Sequence, residues 1–379
     1  MNEGRSLADI RTDIDRIDRE LLLLLTQRMA CAREVAHIKT VTGQPILHPE
    51  REREILERVE KAAGGDAFAM KAMYAAIMDM SRTVQHTMIP ETGTLREELR
   101  DAAEALSDKD TQHIACQGVS GSYSDEAVNR LFGTANRTFY PRFKDVFTAI
   151  ERNEGHVGVL PVENSSAGSV SEVFDLILGH RFYIIGAAEI SISHCLAGVK
   201  GSQQEDVKTV YSHPQALSQC SELLERAHLI AKPHSNTAAA AEMTAEKGDP
   251  SCAALCSKSA AEQYGLTILA ENVQNTADNR TRFLAVSRTL VIPQNADRIS
   301  VCFSLPHTTG SLYRILQRFA IQGLNLTHIE SRPIPETPFA YYFHLDFRGY
   351  VGDAGTAGLL SALSEELPSF SFLGNYRET

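Results

Sequence analysis

Asn279-Arg280-Thr281-Arg282-Phe283 sets an amide, two guanidinium groups and a hydroxyl side by side and runs into the apolar Leu284-Ala285-Val286. A polar cluster at the lip of a strand is where open α/β folds place ligand chemistry. The guanidinium fork suits bidentate capture of a carboxylate, and a Thr hydroxyl can hydrogen-bond a reacting oxygen. Taken alone, the stretch also reads as a solvated loop ahead of a strand.

Upstream stretches repeat the pattern. Gly118-Val119-Ser120-Gly121-Ser122-Tyr123-Ser124 follows a strand-like run and opens a helix, a geometry suited to anions. Pro161-Val162-Glu163-Asn164-Ser165-Ser166-Ala167-Gly168 and Tyr211-Ser212-His213-Pro214-Gln215 do the same, with Gln219 one turn further on. Each alone is ordinary turn chemistry. Between them, hydrophobic patterning predicts strands at 113–119 and 157–160, an extended run at 183–192, and helices at 124–132, 144–153 and 170–178. After Lys200 the alternation restarts, with strands at 207–211 and 252–256 and helices at 214–226, 236–246 and 257–264. Two consecutive α/β lobes with a cleft between them follow from this order. Ser212 and His213 have no carboxylate partner that would make a hydrolase triad, and no G-x-S-x-G elbow accompanies them.

The chain has 379 residues, more than one core usually covers, so two or three domains are expected. A net charge of −11 argues against nucleic acid as a partner. Seven scattered cysteines without zinc spacing fit reduced thiols in the cytosol. The leucine run 21–25 is far too short to span a bilayer.

Residues 1–90 read as all helix. Ser6 is the expected N-cap, and Leu7, Ile10, Ile14, Ile17, Leu21 and Leu24 recur at three-four spacing. Gly43 and Pro45 stop this helix, which would be roughly 50 Å long. That is too long for a small domain, so a second copy is expected to pack along it. A second helix starts near Pro49 and a third after Asp66. Arg28 and Lys39 are about three turns apart and share a face, whereas Arg11 lies about 100° away and should serve the partner's pocket. Arg51 and Glu52 begin the second helix, and Ser81 and Gln85 sit one turn apart on the third. Such a set would bind a compact dianion carrying a hydroxyl. The plain alternative is a bundle with solvated charges.

This set resembles the all-helical, domain-swapped chorismate mutases at Arg11, Arg28, Lys39, Arg51, Glu52, Ser81 and Gln85. The resemblance implies a pericyclic rearrangement of chorismate to prephenate. Lys39 and Gln85 would face the breaking ether oxygen, the Arg residues would handle carboxylates and positioning, and Glu52 would take the ring hydroxyl. His48 stands where the family pattern has an acidic residue.

The segments Gly121-Ser122-Tyr123-Ser124, Pro161-Val162-Glu163-Asn164, Tyr211-Ser212-His213-Pro214-Gln215 and Thr281-Arg282-Phe283 resemble prephenate dehydratase in order. That resemblance implies a bilobed α/β fold like a type II periplasmic binding protein and loss of CO2 and the ring hydroxyl from prephenate. Thr281 is expected as hydrogen-bond donor to that hydroxyl and Arg282 as carboxylate ligand. Ser122, Tyr123, Glu163, Asn164, Ser212, Gln215, Gln219 and Phe283 are expected to complete the pocket. The tail, 297–379, reads as βαββαβ, the ferredoxin-like unit, and resembles an ACT regulatory domain. Its phenylalanine-binding residues would be Gly310, Ser311, Leu312, Asn325, Leu326, Glu330, Ser331 and Arg332, with Tyr313 larger than the usual residue.

Together these imply an α-helical mutase domain at 1–90, a linker at 91–110, an α/β dehydratase domain at 111–292 and an α+β ACT domain at 297–379. The implied enzyme is a cytoplasmic homodimer or larger homo-oligomer. It would need no metal or cofactor and would be feedback-inhibited by L-phenylalanine. A dehydratase with a mutase-dead dimerisation domain, or a non-catalytic amino-acid sensor, are the alternatives, the latter because the bilobed fold also serves as a solute-binding scaffold.

Overall fold

The computed structural model describes residues 6–88, 94–276, 278–334 and 337–379. The start of the expected linker, 91–93, lies outside the described residues. The chain forms two compact units, Met1–Asp101 with Ile299–Phe372, and Ala102–Arg298 with Leu373–Thr379.

In the first unit, helix α1 (Leu7–Thr42) opens on a capping box between Ser6 and Asp9 and closes on Gly43 at φ 68°. Only glycine adopts that left-handed backbone without strain. The stripe Leu7, Ile10, Ile14, Ile17, Leu21 and Leu24 is exposed along α1 in the single chain. Helix α2 (Pro49–Ala63) is N-capped by His48, whose Nδ1 accepts from the Arg51 amide at 3.3 Å. Helix α3 (Ala67–Met88) is the buried member, covering Met78, Asp79, Ser81, Arg82, Thr83, Gln85 and His86. The expected linker holds short helices at Thr94–Arg100 and Asp108–Thr111.

The second unit carries two sheets. Its strands are β1 (His113–Gln117), β2 (Asn136–Tyr140), β3 (Val157–Asn164), β4 (Gly168–Ser169), β5 (Tyr183–Ser191), β6 (Cys195–Gly198), β7 (Thr209–Ser212), β8 (Ile230–Pro233), β9 (Cys252–Cys256), β10 (Thr267–Ala270) and β11 (Arg280–Ser287). One sheet runs β2-β1-β3-β11-β5 with β4 on β3, and the other runs β10-β6-β9-β7-β8. The chain crosses between lobes after β5 and returns after β10, so β11 enters the first sheet antiparallel to both neighbours. Gly158 on β3 lies directly under the helix Phe143–Glu151, where a Cβ would come within 2.8 Å of Ile150 and Val146 side chains.

The tail contributes β12 (Arg298–Ser304), a helix Ser311–Ile321, β13 (Leu326–Pro333), β14 (Tyr341–Arg348), a helix Ala354–Glu366 and β15 (Ser369–Tyr376). The sheet order β13-β14-β12-β15 is the ferredoxin-like arrangement read from the sequence. From Leu373 onward the last strand belongs to the second unit, where Arg377 and Thr379 hydrogen-bond the backbone of β5 at 3.1 Å.

Candidate active sites

The lip of β11 builds one site. Thr281 stands directly opposite Asn164 on β3 and Ile190 on β5. The Asn164 side chain is oriented by the backbone: its Oδ1 accepts from the Ser166 and Ala167 amides at 3.1 and 3.0 Å. Its Nδ2 therefore points the other way and donates to Thr281 Oγ1 at 2.9 Å and to Asn279 Oδ1 at 2.9 Å. Because Thr281 accepts from Asn164, its own hydroxyl proton is free to donate outward. Asn279 adds a second donor, since its Nδ2 is buried and has no partner among the described residues.

Gln215 and Gln219 reach this cluster from the second lobe. Gln215 Nε2 lies 3.4 Å from Asn164 Oδ1, and Gln219 Nε2 donates to Ser166 Oγ at 3.0 Å. Gln219 Oε1 sits 3.1 Å from His194 Nε2, and His194 Nδ1 lies 3.2 Å from the Tyr123 hydroxyl. Burial holds His194 below its usual pKa, against the Gln219 hydrogen bond, so the imidazole is neutral near pH 7. His194 and Asn279 were absent from the expected pocket. Asn279 stood in the quoted stretch, but only the fold shows that its amide is left unpaired.

Five expected pocket residues lie elsewhere. Arg282 and Glu163 face each other in register on the side of the sheet opposite Thr281, because successive residues of a strand alternate faces. Arg282 Nε donates to Glu378 at 2.5 Å and its Nη2 to the Tyr376 hydroxyl at 2.8 Å, so its fork is occupied by the C-terminus. Phe283 is on the Thr281 face but is buried in the first-lobe core with Ile114, Val159 and Ala188. Ser212 is fully buried and donates to the Leu255 carbonyl at 2.6 Å. Ser122 serves as N-cap of the helix Tyr123–Phe132.

A second site lies among the N-terminal helices. Arg28 on α1 donates to Ser81 Oγ and to the Ile77 carbonyl at 3.3 Å. Gln85 Nε2 donates to the Ser81 carbonyl at 3.3 Å, which leaves its Oε1 buried without a partner among the described residues. Lys39 Nζ donates to the Ile46 carbonyl at 2.6 Å. Burial pushes the Lys39 pKa down, and the Glu52 carboxylate opposes this. Glu52 is ion-paired with Arg82, a residue the sequence reading did not single out. Arg51 departs from expectation: as the residue before Glu52 it points outward, pairing with Glu54 at 2.9 Å, with 59% of its side chain exposed. Arg11 is exposed on α1, about 25 Å along the axis from Arg28, and does not reach this pocket within the chain.

In the tail, Gly310 caps the helix Ser311–Ile321 at φ 77°, and Ser311 Oγ donates to the Thr308 carbonyl at 2.9 Å. Leu312 is half-buried, whereas Tyr313 is 63% exposed. Asn325 accepts from the Arg348 amide at 2.9 Å, just before Leu326 opens β13. Glu330 and Arg332 are half-buried on β13 and alternate with exposed Ser331.

These elements define a fusion of modules: a helical pocket of cations and one carboxylate, a two-lobed site of neutral donors, and a ferredoxin-like tail. Known proteins agree with the first two of these modules. The family model for chorismate mutase type II matches residues 10–86, and that for prephenate dehydratase matches 114–290. A bifunctional chorismate mutase/prephenate dehydratase of Aquifex aeolicus is 33% identical over 98% of this chain and 97% of its own length. An arogenate dehydratase/prephenate dehydratase of Arabidopsis thaliana is 36% identical over 72% of this chain and 74% of its own. The crystal structure of a prephenate dehydratase from Arthrobacter aurescens in complex with L-Phe superposes with a TM-score of 0.64 at 32% identity, covering 70% of this chain and 89% of that one. The chain belongs to the bifunctional chorismate mutase/prephenate dehydratase family.

His86, next to Gln85, gives this region a pH signature. Burial above all pushes its pKa from 6.5 down to about 4, with Glu366 opposing and Arg318, Arg96 and Arg82 reinforcing the shift. The folded protein therefore binds fewer protons here than the unfolded chain. The stability carried by neutral His86 is complete above about pH 6.5 and is lost as the pH falls toward 4. His86→Gln is expected to flatten the urea-midpoint curve across that window. A variant curve parallel to wild type would contradict the assignment.

Proposed function

We propose that the chain carries out two consecutive reactions: rearrangement of chorismate to prephenate in the helical pocket, then conversion of prephenate to phenylpyruvate, CO2 and water at the lip of β11. The observation that carries the second assignment is the Asn164–Thr281 pair, in which Thr281 accepts and so keeps its own proton to donate. As the C–C bond to the ring carboxylate breaks, its electrons enter the ring and the hydroxyl leaves. Aromatisation drives the step. A Thr hydroxyl is a weak acid, so Thr281 acts as a fixed hydrogen-bond donor to the departing oxygen, which takes a proton from solvent and leaves as water. Asn279 is the second donor.

In the helical pocket no bond to the protein forms. Arg28 and Lys39 bind the carboxylates and the ether oxygen, Gln85 shares that oxygen, and Glu52 accepts from the ring hydroxyl. Holding the reactive conformer and placing a cation where negative charge develops is enough. The exposed apolar stripe of α1 supports a dimer in which α1 of a second copy covers it and supplies Arg11. Among the described residues no helix is long and apolar enough to cross a membrane. The seven free cysteines support a place in the reducing cytoplasm. The tail is read as the L-phenylalanine-binding module and the source of feedback inhibition, supported by the L-Phe complex of the Arthrobacter aurescens relative.

The two activities should separate by mutation. Thr281→Ala is expected to lower phenylpyruvate formation by about a hundredfold or more and let prephenate accumulate from chorismate. Asn164→Asp should do the same in a folded protein, because a carboxylate would turn the Thr281 proton inward. Lys39→Ala should abolish prephenate formation and leave dehydration of added prephenate intact. Equal loss of both activities in either variant refutes separate sites.

Mixing Arg11→Ala chains with Lys39→Ala chains should restore mutase activity, because one pocket in each hybrid dimer is then intact. Demonstrated chain exchange with no recovery would show that Arg11 does not act across the dimer.

Gly310→Val, at a left-handed position, should abolish inhibition by phenylalanine and its thermal stabilisation of the protein while both activities persist. Truncation is a poorer test, because Glu378 and Tyr376 hold Arg282. Undiminished inhibition in Gly310→Val would place the effector elsewhere.

A further inference from the structure

Arg82 is the hub of a buried ion network within the first unit. Through Nη1 it meets Glu52, through Nη2 Asp79, and through Nε it donates to Glu366 at 3.0 Å. Glu366 ends the tail helix Ala354–Glu366 and also receives Arg318 of the tail helix Ser311–Ile321 at 2.9 and 3.2 Å. The result is a line of alternating charge, Arg318–Glu366–Arg82–Glu52. The side chains of Arg318, Glu366 and Arg82 are 4%, 7% and 9% exposed, whereas Glu52 is 27% exposed. Only the Glu52 end opens toward solvent.

Packing alone does not call for such a line. Removing several charges from water costs more than the pairs usually return, and apolar residues of equal volume would join these helices as well or better. What an Arg fork supplies is direction: its donors lie in one plane at fixed angles. Burial works against the Arg82 charge, and Glu366, Asp79 and Glu52 more than offset it, so the guanidinium stays ionised. A fixed cation behind Glu52 fixes the carboxylate that also acts on Lys39.

We infer that Arg82 is a positioning residue for Glu52 and that its anchor is Glu366 of the tail, so that mutase chemistry depends on a side chain 314 residues downstream of Glu52 (366 − 52). The inference rests on the reading of Glu52 as the ring-hydroxyl acceptor. The tail thus completes the helical pocket from behind, with no contact to substrate.

The test uses full-length protein. Glu366→Gln is expected to lower mutase kcat/KM by about tenfold or more, the scale of one charge-assisted hydrogen bond. The loss should appear mainly in the KM for chorismate, with dehydration of added prephenate within about twofold of wild type. In a Glu52→Gln background, Glu366→Gln should cost nothing further, because the group it positions is gone. Should Glu366→Gln fail to fold, Arg82→Lys, which keeps the charge and loses the fork, is expected to give the same kinetic pattern. Unchanged mutase kinetics, or an equal fold-loss with and without Glu52, overturns the proposal and leaves Glu366 a packing residue. An unchanged mutase in Glu52→Gln itself overturns the pocket assignment beneath it, which is a separate outcome.

Discussion

The register of β11 between β3 and β5 is the constraint on which the dehydratase half depends. A strand that returns from the second lobe and inserts antiparallel into the first sheet has little freedom to slide, because a one-residue slip would exchange its faces. With Phe283 and Ala285 fixed in the core opposite Pro161 and Val159, regular pairing would set Thr281 against Glu163, and a one-residue irregularity between Arg282 and Phe283 sets it against Asn164 instead. The same register sends Arg282 to the far face, where Glu378 and Tyr376 engage it. The C-terminus therefore braces the strand that carries the candidate donor. A buried guanidinium without those partners would be costly, and with them it fixes one strand position.

Much of this was legible in the sequence, and the misses have physical causes. The polar stretches at strand ends stand out because strand cores are apolar and uninterrupted. The resemblance carried by those stretches names Thr281, Asn164, Gln215 and Gln219, and the structure brings these four together. Arg282 and Glu163 belong to the same motifs, but neighbours along a strand take opposite faces, and Phe283, on the Thr281 face, is buried in the core. Ser212 ends a strand as a lip residue would, but its hydroxyl satisfies a carbonyl inside the second lobe. The missed strands β2, β8 and β10 lie at sheet edges, and β6 has only four residues, so burial imprints little pattern on them. The helix expected over 214–226 is broken at Cys220, which no glycine or proline announces.

Helical periodicity served the first segment better. The 3.6-residue repeat put Arg28 and Lys39 on one face and set Arg11 apart. It failed for Arg51, since Arg51 and Glu52 are about 100° apart around α2 and only Glu52 turns inward. Arg82 could not be recognised locally. Its decisive partner is Glu366, in a helix that shares no pattern with α3, and long-range ion pairs leave no period in a sequence. His48 shows the opposite case, since a polar residue just before Pro49 is an N-cap by local rule, and the structure has it so.

The two sites differ in electrostatics, and the proposed chemistry accounts for the difference. A rearrangement that places charge on an ether oxygen gains from a cation held in a partly desolvated pocket. Desolvation there pulls the Lys39 pKa down, and the Glu52 carboxylate opposes the shift and so favours the ammonium form. The carboxylate in turn needs a cation behind it, which is the place Arg82 occupies. Charge thus propagates outward from one catalytic requirement until it ends on Arg318, deep in the tail. The second site has the reverse need. Its substrate must lose a carboxylate, and a cation clamped on that carboxylate would stabilise the state before CO2 leaves. In the proposed site the neutral donors Thr281 and Asn279 would favour departure of that oxygen without holding the other group back. The guanidinium next to Thr281, sent by the register to the far face and held there by Glu378 and Tyr376, is consistent with that proposed contrast.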